Sequence, residues 1–177
     1  MHMNMTTEQS ELLLKLPKKI LNNKNKEPLL EIIINQQYPF RERFELLSND
    51  EEFYFLWEIR QSSKKKLKIN LHIQENGTKI GLMRLDYYGN VHTNPINTNN
   101  FLPVKFHKYA GKTFNIDEHH IHYYVQGYKP LAWAIPLIDD DFEIKTIENS
   151  AGINDIIISF SKLINIETKI QINAILL

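Results

Sequence analysis

Leu67, Ile69, Leu71 and Ile73 alternate strictly with Lys68, Asn70 and His72. A helix would scatter these apolar positions around its circumference, whereas a strand lays all of them on one face. Phe53, Phe55, Trp57 and Ile59 set the same period ahead of them, and Ile80, Leu82 and Leu85 continue as a further strand toward Tyr88. Turn-forming residues divide the runs: Ser48-Asn49-Asp50 on one side, Glu75-Asn76-Gly77-Thr78 on the other. Together with Phe44, Leu46 and the β-branched stretch at 29–34, the pattern predicts an antiparallel meander.

Each end of the chain changes period. Thr6 or Thr7 is placed to cap a short helix whose apolar face is Leu12, Leu13 and Leu16, and Pro17 ends it. Ile153, Ile156, Ile157, Phe160, Leu163 and Ile164 follow helical spacing, with Asn149 or Ser150 as the cap. Residues 170–177 suit either a last strand or more helix. Short strands are expected at 119–125 and 132–138, after a long irregular stretch at 89–118 of the kind that is usually functional or mobile. The expected fold is therefore α+β: a mostly antiparallel sheet of five to seven strands, with an N-terminal and a C-terminal helix on one face. The 177 residues suit one domain, divided into a helix at 7–16, a basic linker at 18–27, a β core at 28–138 and a helical segment at 150–165. The linker reads as a solvated loop in preference to a nucleic-acid-facing arm.

Composition narrows the function. Lys+Arg and Asp+Glu are both 21, so neither a uniformly basic coat nor an acidic nucleic-acid mimic is expected. Cysteine is absent, which removes disulfides, thiolate metal sites and thiol catalysis. No apolar run approaches the about 20 residues of a membrane span, and the first residues lack a basic leader; a cytoplasmic protein without membrane association is expected.

Chemistry concentrates late in the chain. Five of the seven histidines, His92, His107, His119, His120 and His122, lie within residues 92–122. On a strand His120 and His122 share a face with Tyr124, and Arg84 shares a face with Asp86. If those strands are neighbours, an Arg–Asp pair meets a His-x-His-x-Tyr row. Three readings stay open: a polar outer face of the sheet; a divalent-metal site built from Asp86, His92, His120 and His122; and metal-free phosphodiester chemistry, in which arginine neutralises the phosphate and histidines move protons. Asp139-Asp140-Asp141 reads as a solvated turn, not a metal site.

The segments Arg84-Leu85-Asp86, His92-Thr93-Asn94-Pro95, His120-Ile121-His122-Tyr123-Tyr124 and Trp133-Ala134-Ile135-Pro136-Leu137 together resemble an uncharacterised bacterial and prophage family. That family carries Arg-x-Asp, His-x-Asn-Pro, His-x-His-x-Tyr-x-Glu-Gly and Trp-Ala-x-Pro-Leu segments. More distantly, Arg-x-Asp followed by His-rich segments is similar to the TumE-type toxins of toxin–antitoxin pairs. This chain departs from the first pattern at Gln126, where Glu is usual, and by an apparent insertion at 101–114. The resemblance implies a metal-independent endoribonuclease toxin of a toxin–antitoxin or phage-defence locus. Its catalytic set would be Arg84, Asp86, His92, His120, His122 and Tyr124, without cofactor or metal, with Lys64, Lys65, Lys66 and Lys68 on the RNA backbone. Partners would be RNA and an antitoxin, and the chain itself as a homodimer. The competing expectation is a non-enzymatic phage or prophage protein that binds a host defence complex, as an anti-CRISPR protein does.

Overall fold

The computed structural model describes residues 5–174. In chain order the elements are α1 (Thr7–Lys15), β1 (Lys18–Ile20), β2 (Glu31–Gln36), β3 (Arg41–Ser48), β4 (Tyr54–Gln61), β5 (Ile69–Glu75), β6 (Ile80–Tyr87) and β7 (His92–Thr93). They continue with α2 (Val104–His107), β8 (Thr113–Phe114), β9 (His120–Tyr123), β10 (Trp133–Pro136), α3 (Ala151–Leu163) and β11 (Lys169–Ala174). Seven strands form one antiparallel sheet in the order β1-β3-β4-β5-β6-β9-β10. The fold is α+β, with a helix near each end of the chain.

The period-2 runs set the sheet's two faces. Trp57 pairs with Ile73, Ile59 with Leu71, Leu71 with Leu85 and Leu85 with Ile121, and all are buried. They join one core with Leu13 and Leu14 of α1 and with Ile153, Ile156, Ile157 and Phe160 of α3. Fully burying one such side chain contributes about 1.5–3 kcal/mol, so this face holds the sheet to its helices. Thr6 caps α1 with a capping box to Gln9, and Asn149 Oδ1 accepts from the amides of Ala151 and Gly152 at the start of α3.

Two expectations need correction. The stretch read as a solvated linker begins with strand β1, and Lys18, Ile20 and Leu21 are buried in it. Lys18 Nζ donates to the carbonyls of Leu14 (3.0 Å), Leu16 (2.6 Å) and Ile164 (2.6 Å), so one side-chain nitrogen closes the C-terminal ends of both α1 and α3, and burial lowers its pKa to about 7. A lysine surrounded by lysines and asparagines gives no sequence signal for such a seat. The run at 29–34 yields β2, but β2 stays outside the meander and pairs in parallel with β11. The described part of the C-terminal tail is thus a strand; residues 175–177 lie outside the described residues.

Candidate functional site

The polar alternates of the meander form a second pattern on the opposite face. Register places Arg43, Glu58, His72, Arg84 and His122 in one row across β3, β4, β5, β6 and β9. The adjacent row contains Arg60, Asn70, Asp86 and His120. Strand parity sets the face, and the strand pairing sets the rows. Every apolar residue facing the core forces its two neighbours in sequence outward.

The β9 end of the rows is buried. His120 and His122 are fully buried and Asp86 nearly so. His120 Nδ1 lies 2.7 Å from the Glu118 carbonyl and His122 Nδ1 lies 2.8 Å from that of Leu131. A carbonyl only accepts, so both Nδ1 atoms carry the proton and both Nε2 atoms present lone pairs. Those lone pairs face Asp86 Oδ2, at 3.5 Å from His120 and 3.2 Å from His122. Arg84 bridges part of the cluster: Nε donates to Asp86 Oδ2 at 2.9 Å and Nη2 donates to His122 Nε2 at 2.7 Å. Asn70 donates to Asp86 Oδ1. His120 Nε2 finds no hydrogen-bond partner among the described residues.

The electrostatics follow from burial and from Arg84. Burial pushes His122 down to about 4, so the ring is neutral near pH 7. Burial alone would raise the Asp86 carboxyl, but the Arg84 guanidinium beside it holds it well below the usual carboxylate range. Burial also lowers His120.

Toward β4 the rows open into a cleft of about 320 Å³, lined by Glu58, Arg60, Asn70, His72, Arg84, Asp86, Asn90 and Leu131. Its titratable centre is His72. The imidazole Nδ1 lies 3.6 Å from Glu58 Oε2. Glu58 is fixed in turn by Arg60 at 3.0 Å and Arg43 at 3.5 Å. Desolvation lowers His72 below its ordinary value despite Glu58, so it is a neutral base at pH 7. Gly81 makes room for it: a β-carbon there would fall 3.0 Å from His72 Nε2 and 2.9 Å from Leu131 Cδ1. Arg84 forms the boundary between cleft and buried cluster, with 36% of its side chain exposed.

Residues 5–166 match DUF6978, a family of unknown function. The chain belongs to that family. No curated protein and no solved structure matches it. The match spans α1 through α3, so the sheet, the cleft and the buried cluster all lie within the family's shared region.

The structure separates the residues proposed from sequence. Arg84, Asp86, His120 and His122 converge. His92 packs against them, its ring centroid 4.5 Å from that of His122, but its Nε2 is held by Asn94 Oδ1 (3.0 Å) and the Ala132 carbonyl (3.1 Å). Tyr124 leaves the row: it lies beyond the end of β9, is buried, and its hydroxyl donates to the Met5 carbonyl at 2.7 Å. Its expected alignment with the histidines fails because the strand stops at Tyr123. Lys64, Lys65, Lys66 and Lys68 lie in the loop before β5. Lys68 Nζ reaches Asn90 Oδ1 on the cleft wall at 2.6 Å, and Lys65 Nζ sits over the Tyr88 ring at 3.9 Å. His72, Glu58, Arg60 and Asn70 escaped the sequence argument, although each is the polar alternate of a run used to assign a strand.

The 101–114 segment builds a small second core. Leu102, Phe106 and Tyr109 pack with Val125, Trp133 and Ile135. Asn94 anchors it, accepting from the Ala134 amide and donating to the Ala134 and Tyr109 carbonyls. In this way one side chain covers the outer edge of β10.

Proposed function

We propose that this protein is an endoribonuclease, acting in the cytoplasm as the toxin of a toxin–antitoxin or phage-defence locus, and that it cleaves RNA in the cleft over β4–β6. The observation that carries the reading is the pairing of His72 with Arg84 across β5 and β6, with Glu58 behind the imidazole. A neutral imidazole oriented by a carboxylate beside an immobilised guanidinium is suited to a phosphodiester. His72 takes the proton from the ribose 2′-hydroxyl, and the 2′-oxygen bonds to phosphorus. The 5′-oxygen departs and takes a proton from solvent. Arg84 and Arg60 face the non-bridging oxygens. Arg60 and Arg84 balance Glu58 and Asp86 in the cleft, and Arg43 with the 64–68 lysines makes the surroundings positive, which favours an RNA backbone.

This assignment moves the acid–base role from His122 to His72. A fully buried imidazole whose Nε2 already accepts from Arg84 cannot reach a substrate hydroxyl. The test is cleavage of single-stranded RNA by the full chain with EDTA present. Wild type should cleave; His72→Ala should not. A wild type inert toward every RNA tried, or a His72→Ala variant cleaving at the wild-type rate, would reject it.

A second reading rests on the surface of the 96–104 segment. Phe101 and Val104 are 56% and 84% exposed, and Ile96 beside them 78%. Isolated apolar side chains are ordinary on a protein surface, but three within nine residues, on the loop that leads into α2 and at its first residue, suit a protein partner, such as an antitoxin or a host defence protein.

A further inference from the structure

We infer that Asp86, His120 and His122 form a binding site for one divalent first-row transition ion of the zinc class, roofed by Arg84. The inference is independent of whether the cleft cleaves RNA. It starts from an inventory of donors. Three buried groups turn acceptors toward one point: the Asp86 carboxylate, and the Nε2 lone pairs of His120 and His122. Arg84 supplies two donors, one to Asp86 and one to His122. Nothing donates to His120 Nε2 among the described residues, although that atom is fully buried. A bound cation would satisfy all three groups together.

The spacing fits. Ligand atoms of Asp86, His120 and His122 lie within 4.8 Å of one another. The two separations from Asp86 Oδ2 are 3.5 and 3.2 Å. Ligands about 2.0–2.1 Å from a tetrahedral ion stand about 3.3–3.4 Å apart. The supports are those that metal-binding imidazoles ordinarily have. Each histidine gives its other ring proton to a backbone carbonyl, which fixes the ring and leaves Nε2 free to ligate; Asn70 fixes the carboxylate in the same manner. Two imidazoles with one carboxylate favour borderline ions of the zinc, cobalt or iron(II) kind over magnesium or calcium.

Arg84 holds the position an ion would compete for. Its side chain reaches in from the cleft, so ion binding would release the Nε and Nη2 contacts and swing the guanidinium outward. The site is therefore gated by a cation the protein carries itself, and removing that cation should tighten ion binding.

The test uses the full-length chain stripped with EDTA, dialysed free of chelator, and then titrated with Co²⁺ or Zn²⁺ alone. Wild type should bind one ion per chain, seen as visible cobalt absorption and as a rise in melting temperature that EDTA reverses. Arg84→Met should bind at least about tenfold more tightly. Asn70→Ala, which removes only the support to Asp86, should weaken binding by about 10–100-fold. His120→Gln should abolish the cobalt absorption; its circular dichroism, compared with wild type, shows whether it folds, and Asn70→Ala decides the question if it does not. Absence of binding by both wild type and Arg84→Met, or equal binding by wild type and a folded His120→Gln, would overturn the assignment. None of these readouts requires RNA cleavage, so failure here leaves the ribonuclease proposal standing, and the converse also holds.

Discussion

Arg84 Nη2 lies 2.7 Å from His122 Nε2, so a group that does not lose its proton near neutrality faces a ring nitrogen that has to accept. The Leu131 carbonyl, 2.8 Å from Nδ1, imposes the same tautomer from the other side. Nitrogen-15 NMR of the metal-free protein should show a pyridine-type Nε2 and a protonated Nδ1 for His122 throughout the neutral range. A ring protonated at both nitrogens at pH 7 would contradict the arrangement.

The accessible histidine should carry the chemistry. Replacing His72 by Ala is expected to slow RNA cleavage by about 10²–10⁴-fold, the usual range for a general base, while leaving the melting temperature within a few degrees of wild type. Glu58→Gln should reduce the rate less, because it weakens the orientation of the imidazole and leaves the base in place. Initial rates on a labelled single-stranded RNA measure both.

Acid should silence the same group. Burial holds the His72 imidazole below its ordinary value, so the ring is mostly neutral and basic near pH 7. Cleavage should be flat above neutrality and decline on acidification as the ring takes a proton, with its midpoint below that of an exposed histidine. A rate that already falls between pH 8 and 7 would place the base elsewhere.

Lys18→Met tests the seat that joins the two helices. The substitution keeps much of the apolar stem but strips three carbonyls of their shared donor. Hydrogen bonds from a charged nitrogen are worth about 1.5–3 kcal/mol each, and they overlap here and are offset by the desolvation that lowers Lys18 to about 7, so a net loss of about 3 kcal/mol is expected. For a chain of this size that lowers the melting temperature by roughly 10 °C. An unchanged melting temperature would mean that the ammonium is not held at the helix ends.

Asn94→Ala should act at the far edge of the sheet. It removes three buried hydrogen bonds and uncovers the Ala134 amide and carbonyl on β10. A cost of about 2–4 kcal/mol and a greater tendency to aggregate are expected, measured by denaturant unfolding and light scattering. Asn94 does not line the cleft, so residual RNA cleavage by the folded fraction should be retained.

The sheet was legible because strand parity is local. Alternation at 53–59 and 67–73, with turns at 48–50 and 75–78, specifies which residues face the core before any partner strand is known, and β4, β5 and β6 follow it. Helical spacing at 153–164 worked for the same reason. Part of the site was legible too: Arg84 with Asp86, and His120 with His122, share faces by parity alone. Tyr124 was misplaced because parity cannot announce where a strand ends.

Three things depended on the tertiary fold. One is strand adjacency: β6 and β9 are separated by more than thirty residues, and only their pairing sets Asp86 opposite His120 and Arg84 opposite His122. Another is burial, which turned the most conspicuous histidines into neutral, enclosed acceptors and left the inconspicuous His72 facing the cleft. The last is the pairing of β2 with β11 and the seating of Lys18 between two helix ends, contacts spanning over a hundred residues. Sequence periodicity encodes which way a side chain points relative to its own backbone. What it points at depends on chain segments brought together by the collapse of the whole core, and no local pattern carries that information.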